Sequence, residues 1–250
     1  VLDYDKEAEV YDASRGGEPR AEAAARAVLS LVPPRARELL DVACGTGIVT
    51  RRLAAGRAAL RVTGADLAPA MARRAAARLP GAVVLADSRR LPFREGGFDA
   101  VTSVWLLHLV GGERNVRAVV GECARVLRPG GVYVTTVDKG PSHNVGSDID
   151  AVLADRPPST AHDAAPLVES CARAHGLVPA GEARFTGHGQ GRSPRRTIAD
   201  LRRGWFVTLP PGGAARGGVR RPPRGPARPG PAPARPGVHP AGVREAVADP

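Results

Sequence analysis

The run Asp41-Val42-Ala43-Cys44-Gly45-Thr46-Gly47 lies between a short apolar stretch, Glu38 to Ala43, and a helix-like segment from Ile48 to Ala55. A strand, a tight glycine turn and a helix start bring main chain close to a nucleotide-like ligand. Gly45 and Gly47 carry no side chain to hold such a ligand off, and the helix start offers N–H donors able to hold a carboxylate. Asp66 follows 21 residues after Gly45 and Asp87 a further 21 on, each closing a short apolar run. If those runs are neighbouring parallel strands, the acids line one crevice, where an acid at the second strand's end can accept both ribose hydroxyls. Both acids also read as helix caps, and Asp41 as a turn former. Three histidines stand where a base near neutral pH could be used: His108, His143 in Lys139-Gly140-Pro141-Ser142-His143, and His188 in a glycine-rich loop.

The elements that must position these groups alternate between strand and helix. Strands are expected at 38–43, 61–66, 82–86, 98–104 and 132–137, with helices at 18–31, 48–55 and 115–127. Val116, Val119, Val120, Cys123, Val126 and Leu127 form one apolar helical face, stopped by Arg128-Pro129-Gly130-Gly131. Repeated strand–helix–strand units specify an α/β fold with a doubly wound, mostly parallel sheet, whose ligand crevice opens at the carboxyl ends of the strands. Beyond Asp138 the pattern thins to a helix at 163–175, a weak strand at 183–186 and a helix from Ser193 towards Trp205. Residues 1–209 read as the folded domain, divided into an N-terminal helical lid (1–35), a core (36–140) and a substrate-side region (141–209). Of the 41 residues from Pro210 to Pro250, 34 are Pro, Gly, Ala or Arg, so that stretch is expected to be a disordered tail or an out-of-frame reading of GC-rich DNA.

Composition narrows the function. A hydrophobic share of 43% excludes wholesale disorder, and no run approaches the ~20 apolar residues of a membrane span. No charged-then-apolar leader opens the chain. Cys44, Cys123 and Cys171 fit neither a zinc spacing nor a disulfide framework, so the expectation is a cytoplasmic protein without a metal. The net charge of +11 overstates any nucleic-acid affinity: residues 210–250 carry +5 of it, and only Lys6 and Lys139 are lysines, a bias that GC-rich coding produces unaided. Aromatic residues are 4%, too few for stacking platforms, so nucleic acid is not the expected partner.

Two cofactor classes suit the crevice. A dinucleotide wants Gly-x-Gly-x-x-Gly, but the run continues Gly45-Thr46-Gly47-Ile48-Val49-Thr50 and lacks the third glycine. Asp41 is awkward beside a pyrophosphate and suits a cation; S-adenosylmethionine (SAM) carries a sulfonium and an ammonium and no phosphate. From about residue 4 to 205 the sequence resembles the class I SAM-dependent methyltransferases of the small-molecule branch. Leu40 to Gly47 is similar to that family's first motif, with Ala43 where Gly is commoner. Gly64 to Met71 resembles the second, which places Asp66 on the ribose with Leu67 and Met71 beside it. Ala86-Asp87-Ser88 with Leu91-Pro92-Phe93 resembles the third, with Asp87 on the adenine amino group and Ser88 next to it. Phe98 to Val101 with Leu107-His108 resembles the fourth, and Leu127 to Gly131 the turn before the fifth strand.

The resemblance implies a Rossmann-like sheet and transfer of a methyl group from SAM, by in-line displacement, to an O, N or C nucleophile of a small molecule. It implies main-chain contacts from Ala43, Cys44, Gly45, Thr46 and Gly47, contacts from Val104 and Trp105 to the methionine part, and a lid bearing Tyr11 and Arg15. His108 and His143 are the candidate catalytic bases. Ser103-Val104-Trp105-Leu106 stands where enzymes acting on adenine or glutamine amino groups carry Asp/Asn-Pro-Pro-aromatic, which disfavours those acceptors. The family's seventh, antiparallel strand has no counterpart in the Pro/Arg tail, so a missing or aberrant C-terminal strand is expected. The alternatives are an RNA methyltransferase and a SAM-binding protein without turnover, with a dinucleotide oxidoreductase behind them.

Overall fold

Strand β1 (Glu38–Val42) is buried at every residue but its first, as a central strand covered on both faces must be. It pairs in parallel with β2 (Arg61–Asp66) on one side and β4 (Phe98–Ser103) on the other. Short β3 (Val83–Leu85) flanks β2, and β5 (Leu127–Thr136) flanks β4, again in parallel. The computed structural model describes residues 3–139 and 162–189 and the backbone of 242–246. The chain divides into two units, Val1–Gly191 with His239–Pro250, and Arg192–Val238. The second lies outside the described residues, as do the helix expected from Ser193 and the site candidate His143.

Helices follow the strands as the sequence pattern demands. They are α1 (Tyr4–Glu7), α2 (Tyr11–Ser14), α3 (Gly17–Leu31), α4 (Ile48–Gly56), α5 (Pro69–Arg78), α6 (Glu113–Val126) and α7 (Ala165–Arg173), with a 3-10 turn at Leu107–Leu109. Ala-rich α3 ends where Pro33 and Pro34 forbid its continuation. Pro69 opens α5 at a position whose N–H needs no partner. The apolar stripe of α6, from Val116 to Val126, is fully buried. One core gathers Val28, Leu39, Leu53, Val62 and Val134 beneath α3 and α4; a second gathers Leu40, Val101, Val120, Tyr133 and Val168 beneath α6 and α7. The sheet is therefore covered on both faces. Among the described residues, no helix is long and apolar enough to cross a membrane. All three cysteines are buried free thiols.

The sheet ends differently from the expectation at its C-terminal edge. Strand β6 (Glu182–Thr186) is present, and a further strand, β7 (Gly242–Ala246), lies between β5 and β6, giving the order β3-β2-β1-β4-β5-β7-β6. This corrects the reading of 210–250 as a tail without structure, for those five residues. They read Gly-Val-Arg-Glu-Ala, a run too short and too charged for apolar alternation to reveal. The seventh strand is nonetheless aberrant, because it runs parallel to both neighbours rather than antiparallel.

Thr102, on β4 between Asp41 of β1 and Val134 of β5, is fully buried, and its hydroxyl has no hydrogen-bond partner. An unsatisfied buried hydroxyl costs about 1 kcal/mol or more. Thr102→Val should keep the fold and raise the unfolding free energy by about 1 kcal/mol, read from the urea midpoint at unchanged slope.

Candidate functional site

The turn from β1 into α4 is built on three left-handed residues, Ala43 (φ 58), Gly45 (φ 56) and Gly47 (φ 76). At Gly47 a Cβ would lie 2.9 Å from both Cα and Cβ of Ala75, so bare main chain is what lets α5 pack against the turn. At Gly45 a Cβ would meet nothing within 4 Å; its side of the turn faces open space. Cys44 is buried, with its sulfur against Gly64 of β2, and burial pushes its thiol pKa up, so it serves as filler and offers no thiolate.

Asp66, at the end of β2, accepts the Gly45 N–H on Oδ2 at 2.8 Å and the Ala68 N–H on Oδ1 at 2.9 Å. Burial pushes its pKa up against those two bonds. Asp41 is 2% exposed and accepts the Thr50 hydroxyl at 2.6 Å. Burial, opposed by that bond and reinforced by the charge of Asp66, pushes its carboxyl up to about 7. The two acids thus stand near the ends of adjacent parallel strands, close enough for the charge of one to act on the other. Asp87, one strand over, forms an ion pair with Arg89, which donates to both of its carboxylate oxygens and holds its pKa down. Ser88 beside it is half-buried. Leu67 is 61% exposed next to Asp66, whereas Met71 is enclosed on the buried face of α5.

The N-terminal segment closes over this turn. Asp5 accepts the Ala70 N–H at the start of α5. Asp12 accepts the Thr46 hydroxyl at 2.5 Å and an Arg78 N–H at 2.6 Å, and Arg78 also donates to the Thr46 carbonyl at 2.7 Å. The rings of Tyr4 and Tyr11 stand 6.1 Å apart, and both hydroxyl pKa values are pushed up, first by burial. What remains is a small cavity lined by Tyr11, Asp12, Arg15, Arg20, Ile48 and Trp105, among others. Arg20 is 2% exposed; it donates to the Arg15 carbonyl and lays its guanidinium 3.7 Å over the Trp105 ring. Val104 is buried. His108 is half-buried in the 3-10 turn after β4, and the His188 carbonyl packs against Gly16 of the lid.

Sequence reasoning missed Arg20 and Arg78, because arginines on helices ordinarily mark solvated faces. It also missed Asp12, although the neighbouring Tyr11 was singled out. Ala43 adopts a left-handed backbone that glycine takes without strain. Ala43→Gly should therefore raise Tm by about 2 °C, after allowance for glycine's extra freedom in the unfolded chain, as read by calorimetry.

Residues 40–135 match the model of a methyltransferase domain family. A ubiquinone/menaquinone biosynthesis C-methyltransferase of Desulfotalea psychrophila is 33% identical over 115 residues, 45% of this chain and 46% of that protein. A demethylmenaquinone methyltransferase of Tropheryma whipplei is 39% identical over 100 residues, 39% of this chain and 40% of that protein. The chain spans less than half the length of these relatives. A crystal structure of a SAM-dependent methyltransferase from Thermotoga maritima superposes with a TM-score of 0.52, covering 70% of this chain and 80% of that one at 17% identity, a likeness of fold. The match to the methyltransferase domain model thus falls on the segment from β1 to β5 that carries the glycine turn, Asp41, Asp66 and Asp87.

Proposed function

We propose that this protein is a SAM-dependent methyltransferase acting on a small-molecule acceptor in the cytoplasm. The observation that carries the reading is the turn itself: Gly45 faces open space while its N–H is fixed by Asp66, and the two buried acids, Asp41 and Asp66, lie together beside it. Paired acids oppose a pyrophosphate and favour a cation, so the donor set fits SAM better than a dinucleotide. When bound, SAM supplies a methyl group already activated on a sulfonium, ready for in-line displacement by an O, N or C nucleophile.

The chain's residues divide the remaining work. Asp66 keeps a lone pair on each oxygen for ribose hydroxyls, and the exposed Leu67 offers an apolar wall for adenine. Asp87 reaches an adenine amino group only by sharing its carboxylate with Arg89. Asp41 suits the ammonium, and Arg15 and Arg20, which line the cavity beside the start of α4, suit a carboxylate. Val104 and Trp105 supply main chain at the methionine end. The N-terminal segment must lift to admit so large a ligand, and its closure excludes water. His108, in the 3-10 turn that follows β4, would take the acceptor's proton where one must be lost; His143 is a second candidate for that role. The names of the relatives, which place them in quinone biosynthesis, support a small acceptor over RNA.

Calorimetric titration should show saturable binding of SAM and of its demethylated product, and none of a nicotinamide dinucleotide; the reverse pattern would overturn the assignment. Asp41 titrates near 7 and attracts a cation only when ionised, so SAM affinity should rise about tenfold from pH 6 to pH 8. Asp41→Asn should flatten that rise, and the difference between the two proteins isolates Asp41 from the titration of SAM itself. Once labelled-methyl screening identifies an acceptor, His108→Asn should leave SAM affinity intact and slow turnover about 100-fold.

A further inference from the structure

Trp105 is held in a conformation that a bulky residue does not choose. Its φ is 60°, in the left-handed region that costs an L side chain roughly 1–2 kcal/mol. Main-chain pairing of β4 with β5 ends at Ser103 opposite Thr135, so the ladder does not reach the Trp105 N–H. A side chain takes over: that N–H donates to the Thr136 hydroxyl at 2.7 Å, and Thr136 is 2% exposed. Both strand ends are themselves fixed. The Ser103 hydroxyl lies 2.7 Å from the Tyr133 hydroxyl and 2.8 Å from that of Thr135, which in turn donates to the Ser103 carbonyl at 3.0 Å. The indole is then seated between the Arg20 guanidinium and the Phe185 ring, whose centroid is 6.0 Å away.

We propose that Thr136 is a positioning residue for the cofactor: by accepting the Trp105 N–H it holds the Val104–Trp105 main chain and the Arg20–Trp105 stack in the arrangement that receives the methionine end of SAM. The inference rests on the function proposed above. Thr136 does not touch the reacting atoms; it acts through Trp105. Strain of this kind persists only where surrounding groups over-determine it, and here a hydroxyl on the neighbouring strand contributes to that hold at the main chain itself.

The test uses the full chain carrying Trp205→Phe, which leaves Trp105 as its single tryptophan. Three variants are compared: Thr136→Val, which removes the acceptor at constant shape; Thr136→Ser, which keeps it; and Thr102→Val, which removes a buried hydroxyl from the strand alongside. Thr136→Val should weaken binding of SAM and of its demethylated product by about tenfold and shift Trp105 emission. Thr136→Ser should stay within about twofold of the parent in both readouts, and Thr102→Val should leave both unchanged. A folded Thr136→Val protein with parental affinity and emission overturns the inference, as does equal loss in Thr136→Val and Thr136→Ser, which would place the effect in packing. If Thr136→Val does not fold, Thr136→Cys, whose sulfur is a far weaker acceptor, decides on the same criteria. A parent protein that binds neither ligand overturns the functional reading together with this one, whereas parental binding with unaffected variants overturns this inference alone.

Discussion

Asp66 takes the Gly45 N–H on one carboxylate oxygen and the Ala68 N–H on the other, and the geometry of the turn depends on that pair of hydrogen bonds. It joins the turn after β1 to the turn after β2, adding to the one main-chain bond, from the Cys44 N–H to the Ala65 carbonyl, that ties the first turn to β2 beyond Val42. The arrangement is an electrostatic compromise. Burial opposes the charge, and two N–H donors restore part of what water would have given. A neutral side chain of the same shape would hold the donors more weakly, and an apolar one would leave two N–H groups without acceptors. The charge of the same carboxylate adds to burial in raising the pKa of Asp41.

Closure of the N-terminal segment follows from the same turn. Thr46 sits between Gly45 and Gly47; its hydroxyl donates to Asp12 of the N-terminal segment, and its carbonyl accepts from Arg78 at the end of α5. Arg78 then closes the triangle by donating to Asp12. Because Gly47 lets α5 pack against the turn, Arg78 comes within reach of both partners. Asp12 and Arg78 are each about one-fifth to one-quarter exposed, at 18% and 26%, so solvent screens the pair more than it would a buried one.

The sequence displayed most of this scaffold and little of its side-chain wiring. Strand β2 lies at the expected 61–66, and the stripe from Val116 to Val126 announced α6, because periodicity reports burial directly. The glycine turn and the acids closing β1 and β2 were legible for the same reason: strand ends in a parallel sheet must converge. What spacing does not encode is which distant group meets which. Asp87 lies at its expected strand end yet is engaged by Arg89, only two residues away. Arg78 and Arg20, which nothing in the sequence singled out, turn inward because tertiary packing offers them Asp12, Thr46 and the Trp105 ring. Strand β7 escaped because a five-residue strand held by main-chain pairing on both sides needs no apolar signature.

The distribution of backbone strain connects fold to function. Among the described residues, three that are not glycine have positive φ: Ala43, Trp105 and Asp138. Each lies within two residues of the carboxyl end of a strand, after β1, β4 and β5 respectively. None lies at the opposite edge of the sheet, where chains enter the same three strands. In each case a neighbouring element supplies the compensating bond: Ala65 accepts the N–H of Cys44, the residue after Ala43; Thr136 accepts that of Trp105; and Asp163 accepts that of Asp138 through its carbonyl. A parallel sheet delivers its three central strands to one edge, and main chain must turn sharply there to leave space for a ligand. Strain collects at that edge, and the bonds that hold it come from a neighbouring strand or, for Asp138, from the turn that leads into α7.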